Sequence, residues 1–235
     1  MKRALARALV IGIGTTTLLL GVVGLAHTST GRPVLQAVTR MAHGGCPFGY
    51  DKPMTPAQRE RANSKFAAKH RGEQRAANRP ALGFTLDRTT RTEVLAQMSS
   101  HGIACVSAKG FSDLTCNGVP SSALNGPTSY TPPRNVWFTF GEKERLLSVL
   151  AISRDAQPKP ISDAFLATLS VLDQQAGAAA ASSGNADARA LSAGLLNQAS
   201  AEFRFSNYYA VTRATNLGKD FMFTEEYRSL TDSRG

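Results

Sequence analysis

The sequence predicts an α+β fold in which helices pack on one face of a small antiparallel sheet. After residue 81, short apolar or β-branched runs alternate with turn sequences rich in Gly, Asn, Ser and Pro, which is typical of antiparallel strands. A helical segment precedes each group of these runs. The globular domain at residues 81–235 is therefore expected to contain two αβ units, at residues 81–156 and 157–235. A domain of this length can bury roughly 70% of its unfolded surface.

The first unit opens with a predicted strand at residues 84–86 and a helix that starts at a capping box. In that box the side chains of Thr90 and Glu93 are each expected to accept a hydrogen bond from the other residue's backbone amide. The helix ends at residues 101–102, and the face expected to point inward carries Val94, Leu95 and Met98. Four predicted strands follow, at residues 103–107, 114–119, 136–140 and 146–153.

The second unit begins with a predicted helix capped by Ser162 and closed by Gly177. Its apolar residues at helical spacing are Phe165, Leu169 and Leu172. A linker at residues 178–185 follows, and Asn185 or Asp187 leads into a shorter helix that ends at about residue 198. Two long strands then end the chain, at residues 202–215 and 221–228. One face of the first should be buried, because polar residues alternate with Phe203, Phe205, Tyr209 and Val211.

An apolar segment near the N-terminus predicts export. Lys2, Arg3 and Arg7 precede residues 8–26, which carry no charge and end in small residues. At about 1.5 Å per residue, a run of this length also approaches a hydrocarbon core of about 30 Å. Residues 1–26 are therefore interpreted as a signal peptide or a retained signal anchor. Both alternatives place the remaining chain outside the cytoplasm, either free in the periplasm, anchored to the inner membrane and facing the periplasm, or secreted.

Positive charge is concentrated in residues 27–80, which we interpret as a basic tether. This stretch holds ten Lys or Arg and three Asp or Glu, against fourteen of each sign in residues 81–235. A capping box made of Thr55 and Gln58, with Pro56 at the first helical position, predicts a helix at about residues 56–72. We expect little tertiary packing for this helix because its apolar content is slight.

The cations of the tether are candidate contacts for an anionic surface, either a membrane or an acidic envelope polymer. They are Arg59, Arg61, Lys65, Lys69, Arg71, Arg75 and Arg79. Nucleic acid is disfavoured as a partner because the stretch lacks interleaved aromatic residues and a recognised reading motif. The alternative is a solvated helix that serves as a spacer.

Cys105 and Cys116 are predicted to form a disulfide. A hairpin with a four-residue loop at residues 109–112 places the two cysteines directly opposite each other. An exported domain also matures in an oxidising compartment, where such a bond persists. The alternative is a pair of buried thiols that pack as small apolar groups.

The third cysteine, Cys46, follows Met41 and His43 in a glycine-containing segment. Thioether, imidazole and thiolate groups could together bind Cu(I) or supply an axial ligand to haem. Two or three ligands on one loop do not define a metal site, so a structural or intermolecular thiol is the favoured interpretation. Such a thiol would allow a Cys46-linked dimer.

The sequence offers little support for catalysis. Neither G-x-S-x-G nor H-E-x-x-H occurs. Glu225 and Glu226 are adjacent on a predicted strand, so their side chains point to opposite faces and cannot act as a paired acid and base. His101 ends a predicted helix, where a positive charge interacts favourably with the helix dipole. We therefore predict a protein that is not an enzyme and that requires no cofactor.

Residues 85–153 resemble two groups of small binding proteins. The run at residues 85–94, the helix end at 101–102 and the strands at 136–140 and 146–152 are similar to the SmpA/OmlA outer-membrane-assembly lipoproteins and to β-lactamase-inhibitor modules. Members of those groups pack helices on a small antiparallel sheet and act by binding other proteins. The resemblance implies a binding role and assigns no individual binding residue. It does not extend to lipidation, because no cysteine closes the apolar segment.

These observations predict an exported cell-envelope protein with a non-catalytic role in binding a protein or a surface. The expected partner is an envelope protein. One alternative is a copper- or haem-handling envelope protein that uses Met41, His43 and Cys46. A second alternative is a hydrolase of an envelope polymer with carboxylates dispersed along the sequence.

Overall fold

The computed structural model describes residues 55–107, 113–124 and 133–231. Helices within these ranges are α1 (Pro56–His70), α2 (Arg91–Ser100), α3 (Pro158–Gln175) and α4 (Ala188–Ser192). Strands are β1 (Cys105–Ser107), β2 (Asp113–Val119), β3 (Arg134–Phe140), β4 (Leu146–Asp155), β5 (Ala181–Ser183), β6 (Gln198–Arg204), β7 (Tyr208–Asn216) and β8 (Phe221–Ser229).

The strands of the described ranges form one antiparallel sheet in the order β1-β2-β3-β4-β8-β7-β6-β5. β1 to β4 make one meander and β5 to β8 make a second, and the two meanders join through β4 and β8. A helix precedes each meander, α2 before the first and α3 before the second. The predicted α+β class is confirmed, and the two groups of four strands share one continuous sheet.

The main hydrophobic core lies on one face of the sheet, which we call the inner face. The helices α2 and α3 contribute buried side chains to it, including Met98 and Phe165. The strands contribute Phe138 and Phe203, both fully buried. Leu95 was expected to join this core, but its side chain is 38% exposed. The face of α2 that packs inward is therefore narrower than the sequence suggested.

The helix α1 packs on the opposite, outer face. Its Phe66 and Ala67 form a second, smaller cluster with Tyr209, Val211 and Leu230. At its C-terminal end, the backbone amide of Gly72 donates to the carbonyl oxygen of Phe205 at 3.2 Å. We expected a tether with little packing, whereas the compact unit begins at Met54 and includes α1. The helices α2 and α3 of the globular part share the inner face, as expected, and α1 adds a helix on the outer face.

Both helix starts predicted from capping boxes are confirmed. At α1, the hydroxyl of Thr55 accepts a hydrogen bond from the Gln58 amide at 3.2 Å, and the Gln58 side chain accepts one from the Thr55 amide at 2.9 Å. Thr90 and Glu93 make the equivalent pair at α2, with distances of 3.3 and 2.6 Å. Each box satisfies amides that the first helical turn leaves without partners.

The start of α3 was placed wrongly. Ser162 does not cap this helix, because α3 begins four residues earlier, at Pro158. A proline fits the first helical turn, since its fixed φ suits the helix and its missing N–H would have no partner there. Ser162 is instead buried inside the helix.

Residues 84–86 form no strand. Leu82 and Asp87 flank them with φ angles of 56° and 65°, so the chain turns at both ends. Phe84 and Leu86 are nevertheless buried in the main core. The apolar pattern therefore located core residues correctly and misassigned their backbone conformation.

The predicted strand at residues 202–215 is two strands, β6 and β7. The backbone turns between them, and the Phe205 amide donates to the Tyr208 carbonyl at 2.9 Å. This turn shifts the alternation of side chains, so Phe203 lies in the inner core and Tyr209 lies in the outer cluster. A single buried face, as expected from the sequence, therefore does not exist.

The predicted disulfide between Cys105 and Cys116 is present. The two residues are direct partners in the register of β1 and β2, and their Cα atoms lie 4.3 Å apart. β1 is a three-residue strand at the edge of the sheet. The covalent bond therefore fastens a short edge strand to its neighbour.

The export segment predicted at residues 1–26 lies outside the described residues, as does the portion of the predicted tether at residues 27–54. In the described ranges, none of the helices combines the length and the hydropathy that a bilayer span requires.

Candidate binding surface

The outer face of the sheet has a part under α1 and a part beside it. One row across β2, β3, β4, β8 and β7 aligns Thr115, Trp137, Leu150, Glu226 and Val211. Val211 lies in the small cluster with α1. Trp137 and Leu150 belong to neither hydrophobic cluster of the described residues. Within this row, apolar side chains thus continue beyond the α1 cluster.

Four partly exposed apolar residues of this second part are named the Trp137 patch: Trp137, Leu150, Ile152 and Met222. Strand alternation places them on the outer face, since Val136, Phe138 and Ala151 between them are buried in the inner core. Trp137 and Leu150 are direct cross-strand partners. Polar or charged residues border the patch in the strand register, namely Thr115, Asn135, Thr139, Arg154, Thr224 and Glu226, and Arg154 is the direct cross-strand partner of Met222. An apolar centre with a polar border is the usual anatomy of a protein-binding surface.

Sequence reasoning placed Trp137 on a strand and did not assign it a site. The signal was present, because Val136, Trp137 and Phe138 are three consecutive apolar residues. A strand with one solvated face should alternate apolar and polar residues. Trp137 between Val136 and Phe138 breaks that alternation and marks the outer face as unusual.

Aromatic rings attach α1 beside this patch. The Phe66 ring stacks on the His70 ring at a centroid distance of 4.4 Å. Each of these rings also makes a T-shaped contact with the Tyr209 ring, at centroid distances of 5.1 Å for Phe66 and 4.8 Å for His70. The guanidinium carbon of Arg228 lies 4.2 Å from the centroid of Phe66. The Arg228 side chain also donates to Asn63 on α1 at 3.0 Å. The attachment therefore combines few apolar contacts with several polar ones.

Glu202 carries the electrostatic part of this attachment. Its carboxylate accepts hydrogen bonds from Arg204 at 2.7 Å and from His70 at 3.0 Å. Mainly because of the Arg204 hydrogen bond, which outweighs the opposing effect of burial, the pKa of Glu202 falls from 4.5 to about 2. Burial, together with the negative charge of Glu202, raises the pKa of the adjacent Tyr209. The Glu202 carboxylate thus stays ionised at the contact with α1.

Acid should weaken this contact in a defined pH window. Since the folded-state pKa of Glu202 is lowered, its ionisation stabilises the folded protein above pH 4.5, and the contribution is lost as pH falls from 4.5 to about 2. Urea unfolding across this window should show a shallower pH dependence for Glu202→Gln than for the wild type. Asp173→Asn, on the exposed side of α3, serves as the control and should keep the wild-type slope. Identical slopes for Glu202→Gln and wild type would contradict the assignment.

The predicted anionic-surface residues separate into two groups. Arg61, Lys65 and Lys69 are exposed and follow one another at intervals of four on α1, so they form one cationic ridge. Arg75 is exposed beyond the helix, and Arg59 also lies in α1.

The other two cations contact the protein itself. The guanidinium of Arg71 donates to the Leu230 carbonyl at 2.8 Å. Arg79 lies 2.6 Å from the carboxylate of Asp87. Asp87 also accepts hydrogen bonds from the hydroxyls of Ser229 and Thr231, at 2.7 and 2.8 Å. Arg71 and Arg79 therefore each contact the protein itself, and their contact with an anionic surface stays a prediction.

The two adjacent glutamates of β8 point to opposite faces, as predicted. Glu226 lies on the outer face, 3.8 Å from Arg228. Glu225 is fully buried on the inner face, where its carboxylate lies 2.6 Å from the Arg134 guanidinium. Burial raises the pKa of Glu225, and Arg134 opposes that rise.

The surroundings of Glu225 mark it as a core group. The hydroxyls of Thr168 on α3 and Tyr227 on β8 both donate to its carboxylate. Its side chain has no exposed surface, so it is closed to solvent and to a substrate. Glu225 is therefore a carboxyl with a raised pKa that faces the core and does not line a cleft. The hydrolase alternative stays a prediction.

Metal ligation gains no support from the described part of the chain, in which no group of three His, Cys, Asp or Glu side chains is placed to hold an ion. The suggested ligands Met41, His43 and Cys46 lie outside the described residues, and their role stays a prediction. His101 caps the C-terminal end of α2 and is exposed.

Comparison of the chain with protein-family models, curated proteins and solved structures found no match.

Proposed function

We propose that this chain is an exported cell-envelope protein that binds a protein partner through the Trp137 patch. The observation that carries the proposal is a partly exposed tryptophan among three aliphatic residues on the outer face of a continuous sheet. Tryptophan is enriched among the residues that dominate binding energy at protein interfaces. Rigid strands also hold such side chains in fixed positions, which lowers the entropy cost of association.

Two further features support the setting and the class of function. The disulfide between Cys105 and Cys116 suits an oxidising compartment. A basic start followed by an apolar segment suits export to that compartment. The resemblance to SmpA/OmlA lipoproteins and β-lactamase-inhibitor modules adds a binding role by analogy.

An anionic surface is a second contact in this proposal. The cationic ridge of Arg61, Lys65 and Lys69 lies on α1, away from the Phe66 and His70 side chains that face the sheet. Each cation near an anionic leaflet contributes about 1 kcal/mol. The ridge therefore suits phospholipid headgroups or an acidic polymer, while the Trp137 patch binds the protein partner.

Site-specific photocrosslinking tests the protein-binding role. The photoreactive residue p-benzoylphenylalanine is placed at Trp137 or at Ile152 in the full chain, and crosslinking is performed in the native envelope. We expect an adduct of the same mass from both positions, because both side chains share one patch. Leu150→Glu should abolish the adduct formed from Ile152, because a carboxylate at the centre of an apolar interface is costly to desolvate.

The matched control is Leu166, an apolar residue of α3 that is 49% exposed on a different surface. Crosslinker at this position should give no adduct of that mass. Equal adducts from Trp137 and Leu166 would mean non-specific capture. No adduct from either patch position would exclude the Trp137 patch as the binding surface.

A further inference from the structure

Three exposed leucines meet at one end of the sheet. Leu195 and Leu196 precede β6, and Leu217 begins the turn between β7 and β8. Their exposed fractions are 69%, 66% and 36%. Leu195 contacts that turn, since a Cβ added to Gly218 would lie 3.1 Å from the Leu195 Cδ1 atom. We call these three residues the leucine knob.

A buried asparagine holds the two loops of the knob together. The side-chain NH2 group of Asn216 donates hydrogen bonds to the carbonyls of Leu191 and Gly194, at 3.0 Å each. Its side-chain oxygen accepts a hydrogen bond from the Gly218 amide at 2.7 Å. The Leu196 amide in turn donates to the Asn216 carbonyl at 2.9 Å. Backbone and side chain of one residue thus fix the position of the exposed leucines.

The knob also contains backbone strain. Leu196 has a φ of 63°, in the left-handed region that residues with a branched side chain rarely adopt. Its side chain is mostly exposed, so burial in the core does not offset the energy cost of this conformation. Strained positions that the surrounding structure enforces are typical of binding sites. Exposure, strain and a rigid support together indicate a surface built for an apolar ligand.

The residue types in the knob indicate which class of ligand it binds. It lacks the Trp, Tyr and Arg that dominate protein interfaces, where leucine is under-represented. Aliphatic side chains on a tip can instead enter a fluid acyl layer without needing a shaped pocket. Two exposed cations, Lys219 on the turn and Arg189 on α4, lie near the knob in the sequence, together with two acids, the exposed Asp187 that caps α4 and the partly exposed Asp220 on the turn. Of these groups, Lys219 lies on the exposed turn two residues from Leu217, and a cation beside an apolar anchor favours a bilayer that carries anionic headgroups.

We propose that the leucine knob inserts into the acyl boundary of a bilayer containing anionic phospholipid. The leucine knob shares no residue with the Trp137 patch or with the ridge on α1, and its test does not depend on the proposed protein-binding role. Insertion brings Leu195 and Leu196 below the headgroups and leaves Lys219 at headgroup level.

Tryptophan fluorescence on brominated lipids tests this insertion. The full chain is reconstituted in vesicles of brominated phosphatidylcholine, with or without phosphatidylglycerol. Trp137 is the single native tryptophan, so the wild type supplies the background. Leu196→Trp should add a blue-shifted emission that bromine quenches, more strongly when phosphatidylglycerol is present. Lys219→Glu in that background should reduce the quenching.

The control is Leu166→Trp, which places a similarly exposed tryptophan on α3. It should show no quenching beyond that of the wild type. Equal quenching of the two variants would show that the apolar N-terminal segment alone brings the chain to the bilayer, and would overturn the proposal. The proposal also fails if the tryptophan at position 196 is unquenched, or is quenched equally with and without the anionic lipid.

Discussion

Replacing Arg134 with methionine is expected to destabilise the folded protein by about 3–5 kcal/mol. Arg134 and Glu225 are 1% and 0% exposed, and their charged groups lie 2.6 Å apart. Without Arg134 the carboxylate stays in a low-dielectric core, held by the hydroxyls of Thr168 and Tyr227 alone. It must then either remain charged at a high desolvation cost or take up a proton, and both reduce stability.

Urea unfolding followed by the fluorescence of Trp137 measures this loss, since that tryptophan lies on β3 together with Arg134. Arg134→Met combined with Glu225→Gln should be more stable than Arg134→Met alone, because the second change removes the uncompensated charge. The control is Arg154→Met, an exposed cation on the adjacent strand, with an expected change within about 0.5 kcal/mol. Strictly additive losses in the double variant would show that the two groups do not couple.

Local sequence signals were sufficient where one short segment determines the outcome. The capping boxes at Thr55 and Thr90 located two helix starts, because the residues that make each hydrogen bond are three positions apart. The pairing of Cys105 with Cys116 followed from a short hairpin in the same way. The opposite orientation of Glu225 and Glu226 required only the period of a strand.

Contacts between distant segments could not be predicted from one sequence. His70 and Glu202 are hydrogen-bonded although they are 132 positions apart in the sequence. The packing of α1 on the sheet therefore has no local sequence pattern that could predict it. Arg134 and Glu225 are likewise brought together only by the order of the strands, which places β4 between β3 and β8. The Trp137 patch has the same origin, since Met222 reaches it through the junction of β4 with β8.

Removing both Cys105 and Cys116 by substitution with alanine is expected to lower the free energy of unfolding by about 2–3 kcal/mol, through the greater freedom of the unfolded chain. The bond joins two cysteines that are 11 positions apart in the sequence and fastens β1, whose Val106 is 65% exposed and adds little packing of its own. Chemical denaturation of the oxidised protein and of the double variant measures the difference. Cys46→Ser is the matched control and should leave stability unchanged.

The same cysteines test the export proposal separately from the fold. The chain has three cysteines, so native protein from an oxidising compartment should show at most one reactive thiol, that of Cys46, after denaturation. Protein whose thiols are blocked directly in cells could instead show three reactive thiols, while the disulfide forms readily after purification. That result would support the pairing of β1 with β2 and would reject export to an oxidising compartment. A bond that fails to form even under oxidising conditions would reject the hairpin register itself, because direct cross-strand partners are close enough to bond without backbone movement.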